Sequence, residues 1–410
     1  MLSSFRRPLR SSLVALLIVS CTRAPGPSER EVAETLGSEA PLLPFYRALA
    51  VNSTVVILQI GDGHTDGVSG RMRELFQARF GDAGRGVLPP GVPYRAYKSS
   101  GVSATQEGWS AVTSVSSDAS GPFGITGLRQ HADRSAIMTL TVNDSHDLDN
   151  AEIEVLRQPG GGTLLAEVEH GSRAAIATTA QTRNAAWQPI PPAAGSHTLT
   201  VEAVGDGPVD VLAWRITRGR PGVVYANLGA VDADTDITGR WDATLVRQEL
   251  QHLTPSLILL AVGTDAGFRD STDIKDYAAD FTTRLRQLHT ALPSAALLVL
   301  GPPDAYRHRR ASGMEPVACG DPNLTEPSNL DAIRATQRAV VAREHAYFWD
   351  AQAAMGGPCG MLRLARTYPV LTVPDRTHLS ATGYRVVAEV LFRTVMDGYE
   401  RFGRALRPAE

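Results

Sequence analysis

The sequence predicts an α/β protein in which a doubly wound parallel sheet is interrupted by an antiparallel β-sandwich. Three observations lead there. Strand-length runs of continuous apolar residues, the kind buried on both faces of a parallel sheet, occur at Thr54 to Ile60 (TVVILQI) and again only after residue 220. Helical periods follow those runs, as βα units require. Between them, from about Ser99 to Thr217, the pattern changes to short alternating strands separated by Gly, Pro, Asn and Asp.

In chain order, the first apolar run stops at Gly61 and leads to a helix over about Ser69 to Phe80, with Met72, Leu75, Phe76 and Phe80 on one stripe. The alternating strands are clearest at Ala136–Val142, Ala151–Leu156, Thr163–Val168, His197–Val204 and Val209–Ile216. An insertion of this length is tolerated because loop-closure entropy grows only logarithmically. The βα grammar then resumes. Strands are expected at Val223–Asn227, Leu257–Val262, Ala296–Leu300 and Tyr347–Trp349. Helices are expected over about Trp241–His252, Thr272–Leu292, Leu330–His345 and Ser380–Phe402.

The N-terminus is a targeting segment. Arg6, Arg7 and Arg10 precede an apolar core, Leu13 to Val19, that is too short to span a bilayer. It ends in Ile18-Val19-Ser20-Cys21, a lipobox-like sequence that makes Cys21 the expected lipidated mature N-terminus. The chain is then exported and anchored in the bacterial cell envelope, at the periplasmic face or outer membrane. Residues 22–45 are rich in Pro, Glu, Ser and Ala and read as a tether. Of three cysteines, Cys319 and Cys359 remain, and in an oxidising compartment they are expected to form a disulfide. The formal charge of −3, with arginines dispersed among acids, argues against a nucleic-acid partner.

Active sites of open α/β sheets lie beyond the carboxyl ends of the strands. Four polar blocks occupy such positions: Gly61-Asp62-Gly63-His64-Thr65, Asn227-Leu228-Gly229-Ala230, Gly263-Thr264-Asp265, and Asp375-Arg376-Thr377-His378 before the last helix. An Asp three residues before a His can orient the imidazole for general-base chemistry. These blocks, in this order and spacing, resemble the SGNH (GDSL-type) hydrolases, and most closely the peptidoglycan O-acetylesterases that carry a carbohydrate-binding-like β domain after the first helix. The resemblance extends to Arg79–Gly86, Gly301-Pro302-Pro303-Asp304, Phe348-Trp349-Asp350, Met355–Cys359 and Asp375–Tyr384. It implies an SGNH, flavodoxin-like three-layer domain formed by residues 51–98 and 219–410. The β-sandwich occupies 99–218, after a signal peptide (1–20) and a linker (21–50).

By that resemblance, position 63 should supply the serine nucleophile, and His378 the general base oriented by Asp375. The backbone N–H groups at 63 and Gly229, with an amide at 265, should form the oxyanion hole. This chain departs at two of these places. Gly63 has no hydroxyl, so no acyl-enzyme can form on it. Asp265 stands where the family has Asn, and an ionised carboxylate only accepts hydrogen bonds. Asp62 and His64 are expected in turn and hydrogen-bond roles. Asp62, Asp265 and His378 set no ligand geometry for a metal, and no cofactor is expected. Trp109, Trp187 and Trp214 are candidates for stacking on sugar rings, although Trp214, mid-strand, suits a core better. The leading expectation is a non-catalytic envelope protein that binds cell-wall glycan or O-acetylated polysaccharide, or a protein partner. The alternatives are an ester hydrolase that uses water activated by Asp375–His378, and a structural assembly subunit paired with an active paralogue.

Overall fold

The structure is a computed structural model that describes residues 28–407 apart from 52, 95, 96, 98, 117, 230–237, 310–316 and 318. Cys21 and the targeting segment therefore lie outside the described residues, as does Ala230. The chain opens with helices α1 (Glu29–Leu36) and α2 (Leu43–Ala50), joined by a 3-10 turn, Gly37–Leu42. The tether expected over residues 22–45 is thus corrected for its described part. Ser28 and Glu31 form a capping box that starts α1. Val32, Leu36, Leu42, Phe45, Tyr46 and Leu49 are buried in the main core. Glu29 and Glu31 sit in the first turn of α1 and Pro44 in that of α2, where such residues are tolerated.

Strand β1 (Thr54–Gly61) leads into α3 (Gly63–Phe80), then the short strands β2 (Asp82–Gly84) and β3 (Gly86–Leu88). There follow β4 (Val102–Glu107), β5 (Ser110–Thr113), β6 (Leu128–Ala132), β7 (Ala136–Val142) and β8 (Asn150–Arg157). β9 (Thr163–Val168), β10 (Ala174–Ala177), β11 (Asn184–Ile190), β12 (Thr198–Ala203) and β13 (Val209–Thr217) complete this stretch. The chain returns through β14 (Gly222–Gly229), α4 (Ala243–Leu253), β15 (Leu257–Ala261), α5 (Thr264–Phe268), α6 (Ile274–Ala291) and β16 (Ala296–Leu300). It ends with the hairpin β17 (Arg307–His308) and β18 (Leu324–Thr325), then α7 (Leu330–Arg343), β19 (Tyr347–Trp349), α8 (Ala351–Ala354), α9 (Gly360–Leu364) and α10 (Ala381–Ala405). Among the described residues no helix is long and apolar enough to cross a membrane.

One sheet is wholly parallel, in the order β19-β16-β15-β1-β14-β2. The chain winds outward from β1 on one side through β14, then on the other through β15, β16 and β19. The winding direction therefore reverses at β1, and such a reversal opens a crevice beyond the strand ends. Two antiparallel sheets run β10-β9-β12-β7-β4 and β11-β8-β13-β6-β5, with β3 also pairing β13. Antiparallel pairing thus begins at Gly86, ahead of residue 99, and only Arg85 separates β3 from the parallel sheet.

The two antiparallel sheets share one hydrophobic cluster, in which Met138, Leu140 and Val201 meet Ile153, Val155, Val211 and Trp214. Their outer faces differ. β9 and β12 alternate buried with half-buried residues, as strands do when one face meets solvent. β13 is buried almost throughout because its other face meets the α/β part: Ala213 joins that core, and Leu156 and Leu212 pack on Leu245 of α4. Arg218, just past β13, pairs with Asp82, Asp144 and Asp147 at 3.1, 3.0 and 2.7 Å, tying the two sheet systems together where the chain crosses.

Candidate functional site

The ends of β1, β14, β15 and β16 converge on the crevice. At β1, Asp62 caps α3 by accepting a hydrogen bond from the His64 N–H at 3.0 Å, and its own N–H reaches Ala261 O at 2.9 Å. The helix therefore begins at Gly63, six residues before the apolar stripe suggested. A side-chain carbon on Gly63 would meet nothing within 4 Å. Asp62 is buried, and burial together with the neighbouring Asp265 charge pushes its carboxyl up to about 7, against the pull of hydrogen bonds from Thr264, His64 and Thr65. Asp265 lies in the first turn of α5.

On the opposite wall, the turn before α10 holds Asp375 and His378. Asp375 Oδ2 lies 2.8 Å from His378 Nδ1, and Oδ1 accepts from the Thr377 and His378 N–H groups at 2.9 Å each. Partial burial raises the Asp375 carboxyl, but these bonds outweigh it and hold the group below the ordinary carboxylate value. The turn is braced from the loop after β16: the Tyr306 N–H donates to Arg376 O at 2.9 Å, and Thr377 Oγ1 donates to Tyr306 O at 3.2 Å. Buried Asp304, from the Gly-Pro-Pro-Asp block, accepts from the Met361 N–H at 3.0 Å and Gln352 Nε2 at 3.2 Å. A Cys319–Cys359 disulfide, Cα to Cα 5.7 Å, closes the same region, and the Cys359 N–H donates to the Tyr306 hydroxyl at 3.1 Å.

The two walls meet through His64. Its ring stacks on His378 with centroids 4.9 Å apart and planes 23° from parallel, and its Nδ1 lies 2.9 Å from the Tyr384 hydroxyl. Burial, and then His378 nearby, push the His64 imidazole down to about 3, so it is neutral at every physiological pH. A neutral ring can lie flat against the general-base position without repelling its charged form. The expectation of a turn role for Asp62 agrees with this geometry, while His64 spans the crevice. Tyr384 was not singled out from the sequence. Its hydroxyl sits four residues into α10 from the Ser380 cap, and its partner is 320 positions away.

The crevice thus brings Gly63, Gly229, Asp265, Asp375 and His378 to one end of the sheet. Gly229 lies against Thr65, and its N–H already donates to Asn227 Oδ1 at 3.1 Å. That bond occupies a donor expected to face an oxyanion. Trp214 lies in the antiparallel core, as its mid-strand position suggests, with its Nε1 bonded to Pro89 O at 2.5 Å, and Trp109 joins it there. Trp187 is half-buried and stacked on His252 at 4.8 Å. Trp109 and Trp214 therefore offer no open face, and the half-buried Trp187 ring is engaged by His252.

Among solved structures, a peptidoglycan O-acetylesterase superposes over 88% of this chain and 96% of its own, with a TM-score of 0.71 and 24% identity. The chain has that esterase's fold. An acetyl xylan esterase, AlAXEase, matches 42% of this chain and 81% of its own at 14% identity and a TM-score of 0.32. A family two carbohydrate esterase from Clostridium thermocellum, solved with cellohexaose, matches 69% and 97% at 11% identity and a TM-score of 0.29. No protein-family profile matches the chain. No curated protein matches it either. The shared architecture is a mixed α/β fold with parallel and antiparallel sheets, and its chemistry must be argued from the residues in the crevice.

Proposed function

We propose that this chain is a catalytically impaired, glycan-binding SGNH/GDSL-type protein of the bacterial cell envelope, anchored through Cys21, with the antiparallel sheets acting as an inserted recognition domain. The observation that carries the loss of catalysis is the mismatch across the crevice. A formed Asp375–His378 pair faces a helix start where Gly63 presents no hydroxyl. Nucleophilic catalysis needs a side chain for the base to deprotonate. Asp265 and the engaged Gly229 N–H weaken what remains, since a lost oxyanion donor typically costs about 10²–10³ in rate. The glycan reading rests on the fold shared with a peptidoglycan O-acetylesterase.

A second reading has one observation in its favour. The Asp375–His378 pair keeps the alignment of a working base, so a water in the space beside Gly63 could be activated. Hydrolysis of p-nitrophenyl acetate separates the two. The proposal expects a rate near background and no fluorophosphonate labelling. Turnover at ordinary enzymatic rates, abolished by His378→Ala, would replace it with water activation. Pull-down on O-acetylated and de-acetylated peptidoglycan tests the glycan reading, and retention on neither would refute it.

A further inference from the structure

A second cavity, away from the Asp375–His378 crevice, opens where the antiparallel sheet meets the α/β part. It measures 600 Å³, within the range of ordinary small-ligand sites, and lies between the Gly121-Pro122 turn, the strands β8 and β11, and the start of α4. Its floor is apolar: Leu156 and Ala185 from the sheet and Leu245 from α4 form a small cluster of their own. Its rim carries the exposed side chains of Arg183, Asn184, Thr244 and Gln248.

The charged groups at the cleft are largely committed elsewhere. Asp242 caps α4, accepting from the Thr244 and Leu245 N–H groups at 2.9 Å each. Arg240 donates to the carbonyls of Ser114, Ser116 and Ala119 and lies over the Phe123 ring. Arg183 spends one N–H on Gln158 Oε1 at 3.1 Å and keeps the rest of its fork. Asn184 spends one N–H on Thr182 O, leaving its amide oxygen. Trp241 is half-buried in the wall; its indole N–H is enclosed, so the exposed part of the ring is what it offers a ligand.

We propose that this seam cleft binds an N-acetylated oligosaccharide, with Trp241, Asn184 and Gln248 as its principal contacts. The inference deepens the glycan reading above and rests on it. Pyranose rings present apolar C–H faces and hydroxyl edges, which suits an apolar floor beside an indole. Acetamido groups pair with side-chain amides, each supplying one donor and one acceptor. The Arg183 fork matches a carboxylate on a sugar substituent. Among the described lining residues there is no lysine and the carboxylate is occupied, so the lining suits a polar, weakly charged ligand.

The test is calorimetric titration of the full chain with the β-1,4-linked tetramer of N-acetylglucosamine, beside pull-down on peptidoglycan. Trp241→Ala should weaken tetramer binding about tenfold. Asn184→Ala with Gln248→Ala should weaken it further. Because Trp241 also packs on the core, Thr244→Trp serves as the second variant: it adds bulk at an exposed rim position and should block the cleft. If the wild type binds tetramer and all the cleft variants bind equally well, the seam site is wrong while the glycan reading stands. If the wild type binds neither tetramer nor peptidoglycan, both fail together.

Discussion

At the scale of single residues, the crevice sets a formed Asp375–His378 pair beside a helix that starts at Gly63. A side-chain carbon at position 63 would meet no atom within 4 Å, so Gly63→Ser should fold normally and leave the melting temperature within about a degree. Alone it should restore little esterase activity, because Asp265 offers no N–H to the oxyanion. Gly63→Ser with Asp265→Asn should raise the rate on p-nitrophenyl acetate clearly above Gly63→Ser alone, by about 10² if the amide regains its donor role. A double variant no better than the single would show that the oxyanion site is lost for another reason, and the Asn227–Gly229 bond is the first suspect. The same exchange removes the charge facing Asp62 but leaves its burial, so the Asp62 carboxyl should titrate lower in Asp265→Asn than in the wild type while staying above the ordinary carboxylate value, as followed by carboxyl-carbon NMR. Most of this was legible in the sequence, since Gly63, Gly229, Asp265, Asp375 and His378 all lie in short blocks at strand ends. The His64–Tyr384 bond was not, because no local pattern marks a tyrosine in an amphipathic helix as the partner of a distant ring.

At the scale of elements, the seam between β8 and α4 carries a second buried device. Glu154 and Glu249 are both buried and face each other across it, and Glu249 also accepts from the Ile125 N–H at 2.8 Å. Among the described residues Glu154 Oε2 and Glu249 Oε1 have no other hydrogen-bond partner, so the two carboxyls titrate as a pair. Burial pushes Glu154 up to about 7, and burial with the Glu154 charge pushes Glu249 well above the ordinary value. Raised values in the folded state mean stability fully present below about pH 4.5 and lost as pH climbs through about 7. The melting temperature should therefore fall by roughly 2–5 °C between pH 5.5 and 8.5. Glu249→Gln, which supplies a permanent donor, should flatten that slope. A slope unchanged in the variant would show that the pair does not control it. Gly124 permits the arrangement, for a side-chain carbon there would lie 2.0 Å from Glu249 Oε1. None of this is visible in a sequence read strand by strand, since the partners are 95 positions apart and each resembles an ordinary surface acid. The helices over residues 29–50 were readable in principle from Ser28 and Glu31, a capping box whose apolar followers are spread across a 3-10 turn and so escape a regular period.

At the scale of the whole molecule, the parallel sheet was the most legible part, because strands buried on both faces are apolar without interruption. β5, β6 and β11 were less so: β11 carries Pro189 and half-buried positions, which blur the two-residue period. Two expectations belong here. Cys21→Ser should move the protein from the membrane to the soluble fraction and remove a lipid mass from its N-terminus. Soluble wild type without lipid would contradict the anchor. Cys319→Ser with Cys359→Ser should lower stability by about 3–4 kcal/mol, measured by denaturant unfolding under oxidising conditions, and an unchanged midpoint would show the bridge to be dispensable. The sheet containing β8 and β13 has a further consequence. Since Leu156, Leu212 and Ala213 turn towards the α/β part, the antiparallel segment is not a portable module. Excised at residues 99 and 218, it would lose β3 and bare an apolar face to water. Separated from the α/β part, the segment should aggregate rather than stay folded on its own.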